Sequence, residues 1–181
     1  EITLCDIYRQ YPGLTKIQIE DLMKAEMKHE AAVLTLNQDI FQVYQECLKM
    51  GKQVFLISDM YLSQEFILNI LQSLGICNYK KIYISCEYGK TKKTGELFRL
   101  VLEEQGIRTN ELIHIDDSIH SDYKTPRLLG IKAIHIPRFA ERSSYRVQNP
   151  NNDIHINYLN AFLNNSVPTI QNEYYRFGYE R

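Results

Sequence analysis

The sequence lacks the long apolar segment that a membrane-spanning helix requires. No run within its 181 residues approaches the roughly 20 apolar residues of such a helix. It also lacks an excess of charge of one sign, because the formal net charge is −1. We therefore expect no membrane span and no nucleic acid as partner. With 44% hydrophobic and 24% charged residues, the composition is that of an ordinary globular domain.

Cysteine pairs with metal-binding spacing are absent as well. None of the four cysteines forms a C-x-x-C pair with another: Cys5, Cys47, Cys77 and Cys86. This spacing argues against a zinc site and against a disulfide framework. A reducing cytoplasm is therefore the expected location.

Helical signals come first along the chain. Thr15 and Gln18 have the spacing of a capping box, and Asn37 can cap a second helix that ends near Gly51. From there on, short apolar runs of the kind that form strands buried on both faces occur at 54–57, 82–84, 112–115 and 131–136. Helical patterns begin between these runs at Ser63, at Thr94 or Gly95 and at about Ser121.

This alternation predicts an α/β fold, a Rossmann-like parallel sheet with helices on both faces. We expect three parts: a helical segment at 1–51, an α/β core at 52–140 and an appendage or linker at 141–181. The last part, rich in Asn, Ser and Arg, could contain one short helix at 154–163.

The residues that follow each predicted strand are the candidates for function, because ligands bind beyond the carboxyl ends of parallel strands. Ser58 follows the first strand, and its hydroxyl could hold a phosphate oxygen or simply form a turn. Lys90, Lys92 and Lys93 follow the second strand. A lysine there could neutralise a phosphoryl group, or the loop could be merely solvated.

Acidic residues follow the third strand. Asp117 and Asp122 are spaced so that one leaves the strand end and the other returns at the start of the next helix. Carboxylates in this arrangement suit Mg²⁺, although Asp122 or Ser121 could instead cap that helix. His114, inside the strand, is expected to be a packed and hydrogen-bonded core residue.

Taken together, the three motifs resemble the haloacid dehalogenase superfamily, whose members are mostly Mg²⁺-dependent phosphohydrolases with an aspartyl-phosphate intermediate. The resemblance implies that Ser58 and Lys92 are catalytic and that Asp117 and Asp122 hold Mg²⁺. Lys93 is the alternative to Lys92 and a candidate substrate-binding residue. Ser58 and Asp59 are also candidates for substrate binding, and Asp59 could instead only fix its loop.

The match is closer to a subgroup of that superfamily. Its members read S-D-M-Y-L, then S-x-E-x-G-x-x-K-x-x-G-x-L-F, then I-H-I-G-D-x-x-x-S-D; this chain has corresponding residues at 58–62, 85–98 and 113–122. Such domains are often attached to glycosyltransferases of bacterial surface-polysaccharide synthesis. The resemblance therefore implies a phosphorylated small molecule or sugar phosphate as substrate, and a covalent neighbour domain in a larger parent protein.

The sequence departs from the family pattern at the first motif, D-x-D, which supplies the nucleophile. Asp6 is the nearest candidate, but no strand leads into it and no acid follows two positions later. We expect the motif to lie before Glu1, in which case this chain alone is inactive. The alternative is a non-catalytic scaffold or regulatory module. Asp116 also departs from the pattern, which has Gly. Its carboxylate could add to the metal site, but since adjacent strand residues face opposite ways, we expect its side chain to point away from the site.

Overall fold

A computed structural model describes residues 2–136 of the chain. Its helices and strands, in chain order, are α1 (Leu4–Arg9), α2 (Lys16–Val33), α3 (Gln38–Lys49), β1 (Phe55–Ser58), α4 (Gln64–Ser73), β2 (Lys81–Ile84), α5 (Ser85–Tyr88), α6 (Glu96–Gln105), β3 (Ile113–Asp116), α7 (Thr125–Leu128) and β4 (Lys132–His135). A 3₁₀ turn covers Thr109–Glu111, and a π-helical turn at Ile119–Lys124 leads directly into α7. The expected appendage at 141–181, with its helix at 154–163, lies outside the described residues.

Side-chain caps set the starts of the longer helices. Thr15 and Gln18 form the predicted capping box, each side chain accepting the other's backbone N–H. Asn37 caps α3 and Ser63 caps α4, as the sequence predicts. These contacts are local along the chain, so the sequence alone is enough to locate them.

The strands form two parallel pairs. β1 pairs with β2, with Ser58 opposite Ile84, and β3 pairs with β4, with Asp116 opposite His135. Within residues 2–136 the two pairs are not hydrogen-bonded to each other. The predicted α/β fold with parallel strands is therefore confirmed, and β1 and β3 each keep one unpaired edge in this part of the chain.

Two groups of buried side chains hold these elements together. The first packs α6 against β2 and against the residues that lead into β3 and β4. Its members are Tyr83, Leu97, Phe98, Val101, Leu112 and Ile131. The second packs α1 and α4 around the loop that follows β1, through Leu4, Leu62, Phe66 and Ile70. Burying one such side chain stabilises the fold by about 1.5–3 kcal/mol. By contrast, neither α2 nor α3 contains a fully buried residue.

None of the helices in the described part of the chain is both long enough and apolar enough to cross a membrane.

Candidate active site

A buried lysine lies at the centre of the candidate site. Lys92 is only 6% exposed, and its Nζ lies 2.8 Å from Asp116 Oδ2 and 2.6 Å from Asp122 Oδ1. Burial by itself would lower the pKa of Lys92, but the charges and hydrogen bonds of the two carboxylates outweigh it and raise the pKa. The ammonium group is therefore charged at neutral pH and shared between two acids.

Asp122 is held on both of its oxygens. Besides Lys92, Oδ1 lies 3.0 Å from His114 Nε2, while Oδ2 accepts a hydrogen bond of 2.9 Å from Ser121 Oγ. Burial raises the pKa of Asp122, which is 2% exposed, but the bonds from His114, Lys92 and Ser121 together lower it to about 2. Because an ionised carboxylate only accepts hydrogen bonds, His114 must carry a proton on Nε2.

His114 is the packed, hydrogen-bonded core histidine that the sequence predicts. It is 8% exposed, and its ring meets Phe98 edge-on with centroids 4.8 Å apart. One ligand atom from each of His114, Asp116 and Asp122 lies within 4.8 Å of the other two. The two carboxylates are donors that can hold a divalent cation, whereas Nε2 of His114 could join them only after losing the proton that it donates to Asp122.

The acids after β3 are arranged differently from the expectation. The prediction that Asp116 points away is wrong, since its carboxylate meets Lys92. Residues two apart in a strand share a face, which places Asp116 on the same face as the buried His114. Counting in twos from His114 would have revealed this from the sequence.

Asp117, the predicted metal ligand, does not belong to that three-residue cluster. It is half-buried, its backbone N–H donates to Asp116 Oδ1 at 2.9 Å, and its carbonyl accepts from His135 Nε2 at 2.9 Å. Two hydrogen bonds, one at the N–H and one at the carbonyl, therefore hold the backbone of Asp117 in place.

The loops after β1 and β2 meet beside this cluster. Ser58 ends β1 and is half-buried, and the next residue, Asp59, is exposed. The Oδ1 of Asp59 accepts the backbone N–H of Lys92 at 2.8 Å. Lys93, in contrast, is exposed, and its carbonyl accepts a bond from Thr125. Of the two lysines considered for the third motif, the structure buries Lys92.

Asp6 is used as a helix cap. Its Oδ2 accepts both the backbone N–H and the hydroxyl of Thr3, at 3.1 and 2.6 Å, at the start of α1. Hydrogen bonds from Thr3 are the main reason that the pKa of Asp6 is lowered. This arrangement agrees with the expectation that Asp6 is not the nucleophile.

Comparisons with known proteins show the family and the fold of the chain. A family model described as haloacid dehalogenase-like hydrolase matches residues 1–136. Among solved structures, a hydrolase from Streptococcus pneumoniae TIGR4 is similar with a TM-score of 0.52 and 17% identity, over 76% of this chain and 70% of that one. At this identity the likeness shows the fold alone. No curated protein matches the sequence.

Proposed function

The chain belongs to the haloacid dehalogenase-like hydrolases, and on that premise we propose that it is a Mg²⁺-dependent phosphohydrolase domain. The proposed substrate is a phosphorylated small molecule or a sugar phosphate. The observation that carries the proposal is the buried Lys92, whose ammonium is shared by Asp116 and Asp122 at the carboxyl ends of the strands. A fixed positive charge at this edge is suited to a phosphoryl group.

The donor chemistry of the site fits Mg²⁺. Asp116 and Asp122 lie together, Asp117 follows Asp116 in the chain, and carboxylate oxygens are the ligands that Mg²⁺ prefers. We propose Asp117 and Asp122 as ligands, with Asp116 as the alternative to Asp117. One ammonium against two carboxylates leaves the buried cluster with an excess negative charge. A bound Mg²⁺ would offset this excess and so allow an anionic substrate to approach.

The roles of the chain's own residues follow from their positions. The Ser58 hydroxyl at the end of β1 would bind one phosphoryl oxygen, and Lys92 would neutralise another. Lys93 is exposed on the same loop and would contact the rest of the substrate. With these assignments Ser58 and Lys92 would bind the phosphoryl oxygens, and the phosphorus atom would remain open to attack by a nucleophile.

For the nucleophile, we propose an aspartate supplied by a parent protein from sequence before Glu1. Two observations support this. Asp6 is engaged as a cap, and the described β1–β2 and β3–β4 pairs each have an unpaired edge that one further strand could join. The resemblance to glycosyltransferase-associated domains further suggests a parent in bacterial polysaccharide synthesis. In it, 1–51 would be a cap-like segment, 52–140 the catalytic core and 141–181 a linker or appendage.

A second candidate function is a non-catalytic scaffold beside a neighbouring domain. One observation favours this function. Asp6, the nearest candidate for the nucleophile in this sequence, accepts two hydrogen bonds from Thr3 as a helix cap. In this case the cluster around Lys92 would serve stability alone.

Phosphate binding separates these two functions. We expect the 181-residue chain to bind inorganic phosphate in the presence of Mg²⁺, measured by calorimetry, and to lose that binding in Lys92→Met but not in the exposed neighbour variant Lys93→Met.

We expect no turnover of p-nitrophenyl phosphate by this chain, whereas the longer parent protein should hydrolyse it and lose the activity in Asp117→Asn. A chain that binds no phosphate with Mg²⁺ would favour the scaffold. Turnover by the 181-residue chain alone would refute the external nucleophile.

A further inference from the structure

The segments that follow β1 and β2 are joined by three hydrogen bonds from a backbone N–H group to a side chain, which we call the loop clasp. Asp59 accepts the N–H of Lys92 at 2.8 Å, Ser85 Oγ accepts that of Met60 at 2.9 Å, and Glu87 Oε1 accepts that of Gln64 at 2.8 Å. The clasp is therefore reciprocal, since the segment after β1 supplies one acceptor to the other segment's backbone and the segment after β2 supplies two.

Ser85 forms the buried part of the clasp. It is 0% exposed at the end of β2, and its hydroxyl lies 3.4 Å from the carbonyl of Met60 as well as accepting that residue's N–H. The N–H of Met60 is bonded to a fully buried acceptor, and this contact helps to fix the loop after Ser58.

Lys92 is fixed at each of its polar groups. Its N–H goes to Asp59, its carbonyl accepts the N–H of Gly95 at 3.0 Å, and its ammonium meets Asp116 and Asp122. The Asp59 bond is the one that links this turn to the loop carrying Ser58.

We propose that Asp59 is a positioning residue that acts by accepting the Lys92 N–H, and that it does not bind substrate. The inference rests on the proposed phosphohydrolase function. The negative charge of Asp59 supports this role. A carboxylate in contact with a phosphoryl group would repel it and weaken phosphate binding, whereas a carboxylate that only accepts the N–H of a neighbouring segment would not. The geometry explains why the loop after β1 carries an acid directly after its serine.

The matched pair Asp59→Asn and Asp59→Ala tests the mechanism. Asparagine keeps an oxygen at the same place and can accept the Lys92 N–H without the charge, whereas alanine cannot. We expect hydrogen exchange at the Lys92 amide, measured by NMR, to accelerate roughly fivefold or more in Asp59→Ala and to stay near wild type in Asp59→Asn. Asp21→Asn, an exposed acid on α2, serves as the surface-charge control.

Phosphate affinity in the presence of Mg²⁺ supplies the second readout. We expect Asp59→Ala to bind inorganic phosphate roughly fivefold more weakly, and Asp59→Asn to bind it as tightly as wild type or somewhat more tightly. Equal losses in both variants would show that the charge of Asp59 matters and would overturn the positioning role. An unchanged Lys92 amide in Asp59→Ala would overturn it too. Failure of the wild-type chain to bind phosphate would instead refute the proposed function, and the amide measurement would still decide whether the clasp holds Lys92.

Discussion

At the scale of single residues, Lys92 is the group on which the buried charges depend. Asp122 is 2% exposed and Lys92 is 6% exposed, so neither charge is well solvated without the other. We expect Lys92→Met to lower the free energy of unfolding by about 3–5 kcal/mol, because it leaves a buried carboxylate without its cation. Urea denaturation at neutral pH with a chelator present measures this loss.

Lys93→Met is the matched control for that experiment. Lys93 is the exposed neighbour of Lys92, and a surface substitution of this kind changes stability by roughly 0.5 kcal/mol or less. If both variants lose the same stability, the effect comes from the loop and not from the buried ion pair.

The pH dependence of stability isolates Asp122. Its folded pKa of about 2 lies below the ordinary value of 3.8, so its stabilising contribution is full above about pH 4 and is lost as pH falls toward 2. Between pH 5 and pH 2 the wild type should lose about 2 kcal/mol more unfolding free energy than Asp122→Asn. Urea titrations of both proteins at the two pH values, without divalent cations, give this difference. Equal losses would mean that Asp122 is not held in the ionised state by its partners.

Sequence reasoning predicts a lysine after the second strand and acids after the third, because the ends of parallel strands meet at one edge of a sheet. Only the family resemblance selects Lys92 among the three lysines of that loop. Sequence reasoning missed the role of Asp116, since it counted the strand faces from Asp117 and not from His114. It could not find the loop clasp, whose bonds join residues 33, 25 and 23 positions apart in the chain. No local pattern specifies which backbone N–H such a side chain will meet.

At the scale of secondary-structure elements, the predictions succeeded where a local signal exists. Thr15, Asn37 and Ser63 cap helices in the structure as the sequence indicates. The short helix α1 was missed although Thr3 and Asp6 form a capping box, the one signal available for it. For α5 the sequence offers no signal of that kind, because its first turn has no side-chain cap.

Gly95, just before α6, lies close to Thr125 and Leu129 at the two ends of α7, and substitution can test this contact between the two helices. Gly95 has a φ of 81°, and a Cβ there would lie 3.1 Å from Leu129 Cδ1 and 3.4 Å from Thr125 Cγ2. Gly106, after the other end of α6, has a φ of 62° and nothing within 4 Å of such a Cβ. In both variants alanine is therefore strained by the left-handed backbone conformation. In Gly95→Ala the added Cβ also comes too close to Leu129 and Thr125.

We expect Gly106→Ala to lower the unfolding free energy by about 1–2 kcal/mol, and Gly95→Ala to lower it further by about 1 kcal/mol or more. Urea denaturation of the two variants measures the difference. Because the N–H of Gly95 also bonds to the carbonyl of Lys92, Gly95→Ala should in addition shift the NMR signal of the Lys92 amide. Equal destabilisation by the two alanines would show that Leu129 and Thr125 move aside without cost.

At the scale of the whole molecule, the strands of residues 2–136 form two separate parallel pairs. Lys92, which follows β2, bonds to Asp116 at the end of β3 and so bridges the two pairs at the candidate site. The bridge is made by side chains, whereas one backbone edge of β1 and one of β3 have no strand partner within residues 2–136. An unpaired edge presents alternate N–H and C=O groups that a further strand can bind.

Hydrogen exchange can detect these edges directly. In a strand paired on one side only, successive amides point alternately to the partner and to the free edge. We therefore expect slow and fast amides to alternate in β1 at 55–58 and in β3 at 113–116, measured by NMR on the 181-residue chain. In the longer parent protein proposed above, the fast set should become protected, because an added strand would bind those N–H groups. Uniformly slow exchange in the chain by itself would mean that its own residues beyond 136, or a second copy, already cover both edges, and the added strand would then have no place to bind.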